Sequence, residues 1–181
     1  MRTLLRRHAA CTAGDMNAHP AEVTVAPSAA EPGVVSGVQR RIERAKLAVV
    51  IVDDDPCTGD GLARLVRSFG HASRVASCGD EALRLMREGH ADVVISDWEM
   101  PGMSGAELCR RTRIADDAAP YTYFILLTGF DDREHVIEAM EAGADHYQRK
   151  PVDVDALEAQ LVSAARVVGL HRRLACRASK Q

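Results

Sequence analysis

The sequence predicts a doubly wound α/β domain, a parallel sheet with helices on both faces, and three observations carry that reading. The run Leu47-Ala48-Val49-Val50-Ile51-Val52 is apolar at every position, which suits a central parallel strand covered on both faces. Five strand signals alternate with five stretches of helical spacing, the pattern that builds βαβ units. Glycines stand where helices should stop, at Gly70, Gly89 and Gly143.

Each element follows in turn. The first strand, Leu47 to Val52, runs into Asp53-Asp54-Asp55-Pro56. A helix over Gly61 to Phe69 carries Leu62, Leu65, Val66 and Phe69 at helical spacing; Gly59 and Gly61 are poor helix formers, so its first turn is expected to be loose. Ser73 to Ser77 is a short strand, and Asp80 to Glu88 repeats the helical spacing with Ala82, Leu83, Leu85 and Met86. Asp92 to Ser96 is the third strand, Gly105 to Arg113 a helix, Tyr123 to Leu127 the fourth strand and Asp132 to Ala142 the fourth helix. His146 to Arg149 closes the set of strands. A last helix starts at Val154 with the stripe Val154, Leu157, Leu161 and Ala165, then continues on a shifted face with Val167, Leu170 and Leu174.

Bulk properties fit one core. The 181 residues, 46% of them hydrophobic, suffice for a single full domain plus tails. Residues 1–45, rich in Ala, Pro, Ser and Thr and ending in the basic VQRRIERA, are expected to form a disordered tail with a short lead-in. Residues 46–170 form the expected domain and 171–181 a basic extension of the last helix, with a frayed tail as the plainer reading of HRRLACRASK. A net charge of −3 with interspersed signs gives no footprint for nucleic acid and no membrane-attracting face. Five cysteines without a CxxC pair argue against both a disulfide framework and a zinc site, which points to the cytoplasm. The N-terminal MRTLLRRHAAC lacks the apolar run of a signal peptide, and no stretch is long enough to span a bilayer.

The chemistry collects at strand ends. In a doubly wound sheet, side chains at the carboxyl ends of the strands line a crevice where strand order reverses. Asp53, Asp54 and Asp55 follow the first strand, Asp97 the third, Thr128 the fourth and Lys150 the fifth. Clustered carboxylates are tolerable when a cation neutralises them, and Mg²⁺ favours hard oxygen ligands. Asp97 can itself attack phosphorus, Thr128 can donate to a phosphoryl oxygen, and Lys150 can neutralise another. Taken singly, an Asp triplet is a solvated turn, a Thr at a strand end a cap and a Lys before Pro a surface residue. Their joint placement is what argues for phosphoryl chemistry. Trp98 and Tyr147 read as amphipathic packing on residue type alone, and the histidines show no ligand spacing.

The set VDDD at 52–55, ISDWEMPGMSG at 95–105, LLTG at 126–129 and RKP at 149–151 resembles the receiver domain of two-component response regulators, from about Leu47 to about Leu170. The resemblance implies a flavodoxin-like, five-stranded sheet of order 2-1-3-4-5. It also implies that Asp97 is the phospho-acceptor and that Asp53 and Asp54 form the acidic pair. Asp54 would bind Mg²⁺ directly, Asp53 through water, and Glu99 through its backbone carbonyl. Thr128 becomes the switch hydroxyl, Tyr147 the aromatic that rotates inward behind it, and Lys150 the phosphate-binding lysine. Glu99 and Phe130 occupy positions at which the family varies. Lys150-Pro151 is expected to be cis, since an X-Pro bond pays little for it and the turn must aim Lys150 at the crevice.

The expected function is a phosphorylation switch rather than an enzyme: a sensor histidine kinase or phosphotransfer protein supplies the phosphoryl group and a downstream output protein or domain reads the result. A homodimer through the shifted stripe of the last helix is a further expectation. The rival is a regulatory fragment of a longer regulator with an enzymatic output such as a diguanylate cyclase. A flavodoxin is disfavoured because DDD repels the cofactor phosphate, and a dehalogenase-type phosphatase because its nucleophile would sit on the first strand in a DxD arrangement.

Overall fold

The computed structural model describes residues 46–114, 120–129 and 133–178, the side chain of Arg133 excepted. The tail and lead-in expected over 1–45, Phe130, and the Asp132 start expected for the fourth helix lie outside these residues. Ten elements alternate in chain order: β1 (Ala48–Val52), α1 (Pro56–Ser68), β2 (Ala72–Ala76), α2 (Gly79–Glu88), β3 (Val93–Asp97), α3 (Gly105–Ile114), β4 (Tyr123–Thr128), α4 (Arg133–Glu141), β5 (His146–Arg149) and α5 (Val154–Ala178). The strands form one sheet in the order β2-β1-β3-β4-β5, every pairing parallel. This is the order expected, and it puts β1 and β3, which end in acid, side by side.

Alternation within the strands explains the unbroken apolar runs. Val50, Val52, Val94, Phe124 and Leu126 face one side and join α2, α3 and α4 in one cluster. Val49, Ile51, Val93, Ile95, Ile125 and Leu127 face the other side and pack on α1 and α5. A central strand with both faces covered leaves little room for polar residues, and β1 has none.

The first helix corrects the expectation of a loose start at Gly61. Pro56 opens it, and the Asp55 side chain caps it by accepting from the amides of Cys57 at 3.2 Å and Thr58 at 3.0 Å and from the Thr58 hydroxyl at 2.6 Å. Those bonds, the Thr58 hydroxyl first, hold the Asp55 carboxyl below the usual carboxylate range. Gly59 is buried, and a methyl there would come 3.0 Å from Val75 Cγ1, so it permits the helix to lie close to β2.

The frayed-tail reading is also corrected. α5 continues as helix through Ala178, and its buried stripe is Leu157, Leu161, Ala164 and Val168, one helical face. The next turn is tied to the amino-end rim of the sheet. The His171 ring stacks on Tyr121 with centroids 4.1 Å apart, and Arg172 pairs with the buried Asp92, whose other oxygen accepts from the Ala48 amide at 2.9 Å. Tyr121 in turn donates to Asp145, which also accepts from Arg113 at 2.7 Å. On either side of His171 and Arg172, Leu170 and Leu174 are exposed. Among the described residues no helix is long and apolar enough to cross a membrane.

Candidate functional site

Parallel strands running side by side bring their last residues to one edge. Asp53 follows β1 and is buried; Asp54, next to it, is exposed; Asp97 is the last residue of β3 and half-buried. Their carboxylate oxygens lie within 4.8 Å of one another. Thr128 ends β4, fully buried, one position past the residue that pairs with Asp97. Lys150 follows β5, with a cis bond to Pro151 as expected, and its amide donates to the Thr128 carbonyl at 2.7 Å.

The lysine reaches across the sheet edge. Its Nζ lies 2.9 Å from Asp97 Oδ1 and 3.3 Å from Asp53 Oδ2. Burial works against the Lys150 ammonium, but its hydrogen bond to Asp97 and the charges of Asp97 and Asp53 outweigh that and raise its pKa. Asp53 shifts the other way from a typical ion-paired acid. Burial pushes its carboxyl up, and the Asp55 amide at 3.0 Å and the Lys150 charge only partly offset it. Three carboxylates thus face one ammonium, an excess of negative charge made of hard oxygen donors, which fits a divalent cation of the Mg²⁺ type.

The loop after Asp97 shapes the rest. The Trp98 amide donates to Asp97 Oδ1 at 2.8 Å and also to the Leu127 carbonyl at 2.8 Å, tying the Asp97 carboxylate to β4. Asp54, Trp98, Glu99, Met100, Pro101 and Ser104 line an open depression beside the acids. Glu99 is exposed there, while Trp98 is buried, deeper than an amphipathic surface residue would be. Tyr147 on β5 is half-buried against the α2/α3/α4 side of the core. Of the residues expected at the site, then, the three acids and Lys150 converge directly, Thr128 lies beside them, and Tyr147 sits a strand away. Residue types alone missed two participants. The Gly105 amide donates to the Trp98 carbonyl at 2.9 Å, and the His135 ring of α4 meets Trp98 edge-on. The Gly in MSG was a visible signal for the first, whereas nothing local marks His135.

Comparison with known proteins agrees with this fold. The family model described as response regulator receiver domain matches residues 49–162. A transcriptional regulatory protein of Streptomyces coelicolor, AfsQ1, is 33% identical over 119 residues, covering 66% of this chain and 51% of its own. The DNA-binding response regulator MtrA of Mycolicibacterium smegmatis is 37% identical over 103 residues, covering 57% and 43%. The chain spans about half the length of these curated relatives. Among solved structures, a response regulator receiver domain protein from Clostridium thermocellum superposes with TM-score 0.62 at 31% identity, covering 68% of this chain and 98% of that one. The chemotaxis protein CheY4 of Vibrio cholerae gives TM-score 0.62 at 28% identity, covering 66% and 99%.

Proposed function

Because the chain belongs to the response regulator receiver domain family, we propose that it is a phosphorylation switch in which Asp97 accepts a phosphoryl group from the phosphohistidine of a sensor kinase or phosphotransfer protein. The observation that carries this is Lys150 bridging Asp97 and Asp53 at the edge where three carboxylates converge. An Asp97 oxygen forms the new O–P bond as the N–P bond breaks, and the electron pair returns to the imidazole nitrogen. Since Trp98 and Lys150 both hold Oδ1, we assign the attack to Oδ2. Lys150 then turns to a phosphoryl oxygen, and Thr128 donates to another. Asp53, Asp54, Asp97 and the Glu99 carbonyl are the proposed Mg²⁺ ligands, with Asp53 acting through water. The ion, when bound, neutralises charge on the transferring oxygens.

Thr128 and Tyr147 are the proposed switch pair, biasing the surface of α4, β5 and α5 toward a new partner. One relative is named as a transcriptional regulatory protein and another as a DNA-binding response regulator, which supports an output protein or domain acting on transcription and lends nothing to the cyclase alternative. No direct contact of the chain with nucleic acid is proposed. A homodimer through the exposed Leu170 and Leu174 is proposed, with Leu174 lying in the 171–181 extension. Cys57, Cys78, Cys109 and Cys176 are free thiols, which suits a reducing cytoplasm.

Intact-mass spectrometry with Mg²⁺ and acetyl phosphate tests the covalent step. Wild type is expected to gain one phosphoryl group and lose it on hydrolysis, and Asp97→Ala to gain none. Asp54→Ala should lose most of the metal dependence, and Lys150→Ala should bind metal yet switch poorly. If wild type stays unmodified with every small-molecule donor and with a promiscuous kinase, the domain is instead a phosphorylation-independent binding module.

A further inference from the structure

Few side chains hold α4 to the body of the domain. Among its described residues Ala139 is the one fully buried, while Val136, Ile137 and Met140 stand 37%, 44% and 46% exposed. Arg110 of α3 donates to Glu138 at 3.0 Å, but both side chains are well exposed, and such pairs hold little. A further tie is aromatic. The His135 ring meets the Trp98 ring edge-on, centroids 5.1 Å apart and planes at 72°. Trp98 therefore has two grips: its amide holds Asp97 Oδ1 and its buried ring holds α4.

We propose that the Trp98–His135 contact is a second coupling element, carrying the state of the Asp97 carboxylate to α4 directly rather than through Thr128 and Tyr147. The proposal rests on the phospho-acceptor reading above. His135 touches no reacting atom and is a positioning residue. Its action follows from charge. When Asp97 becomes an acyl phosphate, the bond from Oδ2 to phosphorus leaves Oδ1 as the uncharged carbonyl of a mixed anhydride, and the charge-assisted hydrogen bond from the Trp98 amide becomes an ordinary, weaker one. Lys150, which shared Oδ1, is drawn to the phosphoryl oxygens at the same time. With both donors loosened, the Trp98 backbone can reorient and take its ring with it. A helix with so little buried surface follows a shift in one aromatic contact, because elements at the low-stability end of a fold are the ones a small bias can move. The displaced surface is the apolar row of Val136, Ile137 and Met140, next to His135 in sequence.

The test compares wild type, His135→Leu and His135→Phe by hydrogen–deuterium exchange of the α4 amides, with and without Mg²⁺ and beryllofluoride. Phosphorylation by acetyl phosphate is followed by intact mass in parallel. His135 lies on a half-exposed helix position, so His135→Leu is expected to fold, with circular dichroism as the check and His135→Gln as the substitute should it not. The expected result is phosphorylation within about twofold of wild type, since the ring is remote from the chemistry. The exchange response of α4 should shrink by about 2- to 10-fold in the non-aromatic variant, the factor one aromatic pair commands, and His135→Phe should restore it. A non-aromatic variant that phosphorylates normally and shifts α4 as wild type does overturns the proposal and leaves the receiver reading intact. So does a His135→Phe chain that is phosphorylated but fails to respond. Failure of wild type to take the phosphoryl group or the mimic overturns both.

Discussion

A methyl group at Gly105 would overlap the carbonyl oxygen of Asp97 and come 2.7 Å from Leu126 Cδ2. Neither neighbour can yield, since one is the backbone of β3 and the other a fully buried side chain. Gly105→Ala is expected to cost about 1–3 kcal/mol in urea unfolding, the usual range for forced overpacking, and to slow labelling by acetyl phosphate because Asp97 must move. Normal stability with normal labelling would show that the loop relaxes freely. Cys109 offers a second measurement at this scale. Burial pushes its thiol up from 9.0 to about 11, against the helping charge of Arg113. The folded value lies above the unfolded one, so the stabilisation is complete below pH 9.0 and is lost as pH rises toward about 11. Iodoacetamide at pH 8 should label the exposed Cys57 and Cys176 and spare Cys109 until denaturant is added, as mass mapping of the peptides would reveal.

Among the elements, α5 is the one whose end the sequence left between two readings, an extension of the helix and a frayed tail, and it is helical through Ala178. HRRLACRASK has the composition of a solvated tail, and only its tertiary partners make its first turn part of the domain. Arg172 reaches Asp92, which is 3% exposed and sits at the opposite end of the segment that leads through β3 to Asp97. Because the guanidinium is itself 50% exposed, the pair is screened, and Arg172→Ala is expected to lower stability by only about 1 kcal/mol. Arg173→Ala, on the same turn, should stay within about 0.5 kcal/mol of wild type. Equal effects for the two in thermal melts would mean that the rim contact adds nothing. α1 errs in the opposite direction. Two glycines suggested a weak start, yet the capping aspartate and Pro56 define its first turn, and Gly59 serves the approach of α1 to β2.

At the scale of the whole molecule, two cores share one sheet. Leu161 belongs to the α1/α5 side, while Trp98 lies on the other side. Since β1, β3 and β4 each contribute alternate residues to both, neither core is expected to melt while the other persists. Leu161→Ala is expected to cost about 2–5 kcal/mol and to shift the Trp98 fluorescence transition and the far-UV circular dichroism transition together in urea. A fluorescence midpoint that stays in place while the dichroism moves would mean the two faces unfold separately.

Local pattern was enough for the number, order and type of the elements, because strand and helix periods are written in neighbouring residues. It also marked the carboxyl-end residues Asp53, Asp54, Asp97, Thr128 and Lys150 as a group, since a doubly wound sheet leaves its strand ends in one place. The strand order came through resemblance to a family rather than from any period, because which strands pair is not a local property. Only the tertiary structure decided which atoms meet. Lys150 and Asp53 are 97 residues apart, and Arg172 and Asp92 are 80 apart. His135 reaches Trp98 only after β4 has paired with β3 and α4 has folded back beside the sheet. Charge and ring contacts of that kind depend on distances of a few ångströms set by packing, and no spacing along the chain encodes them.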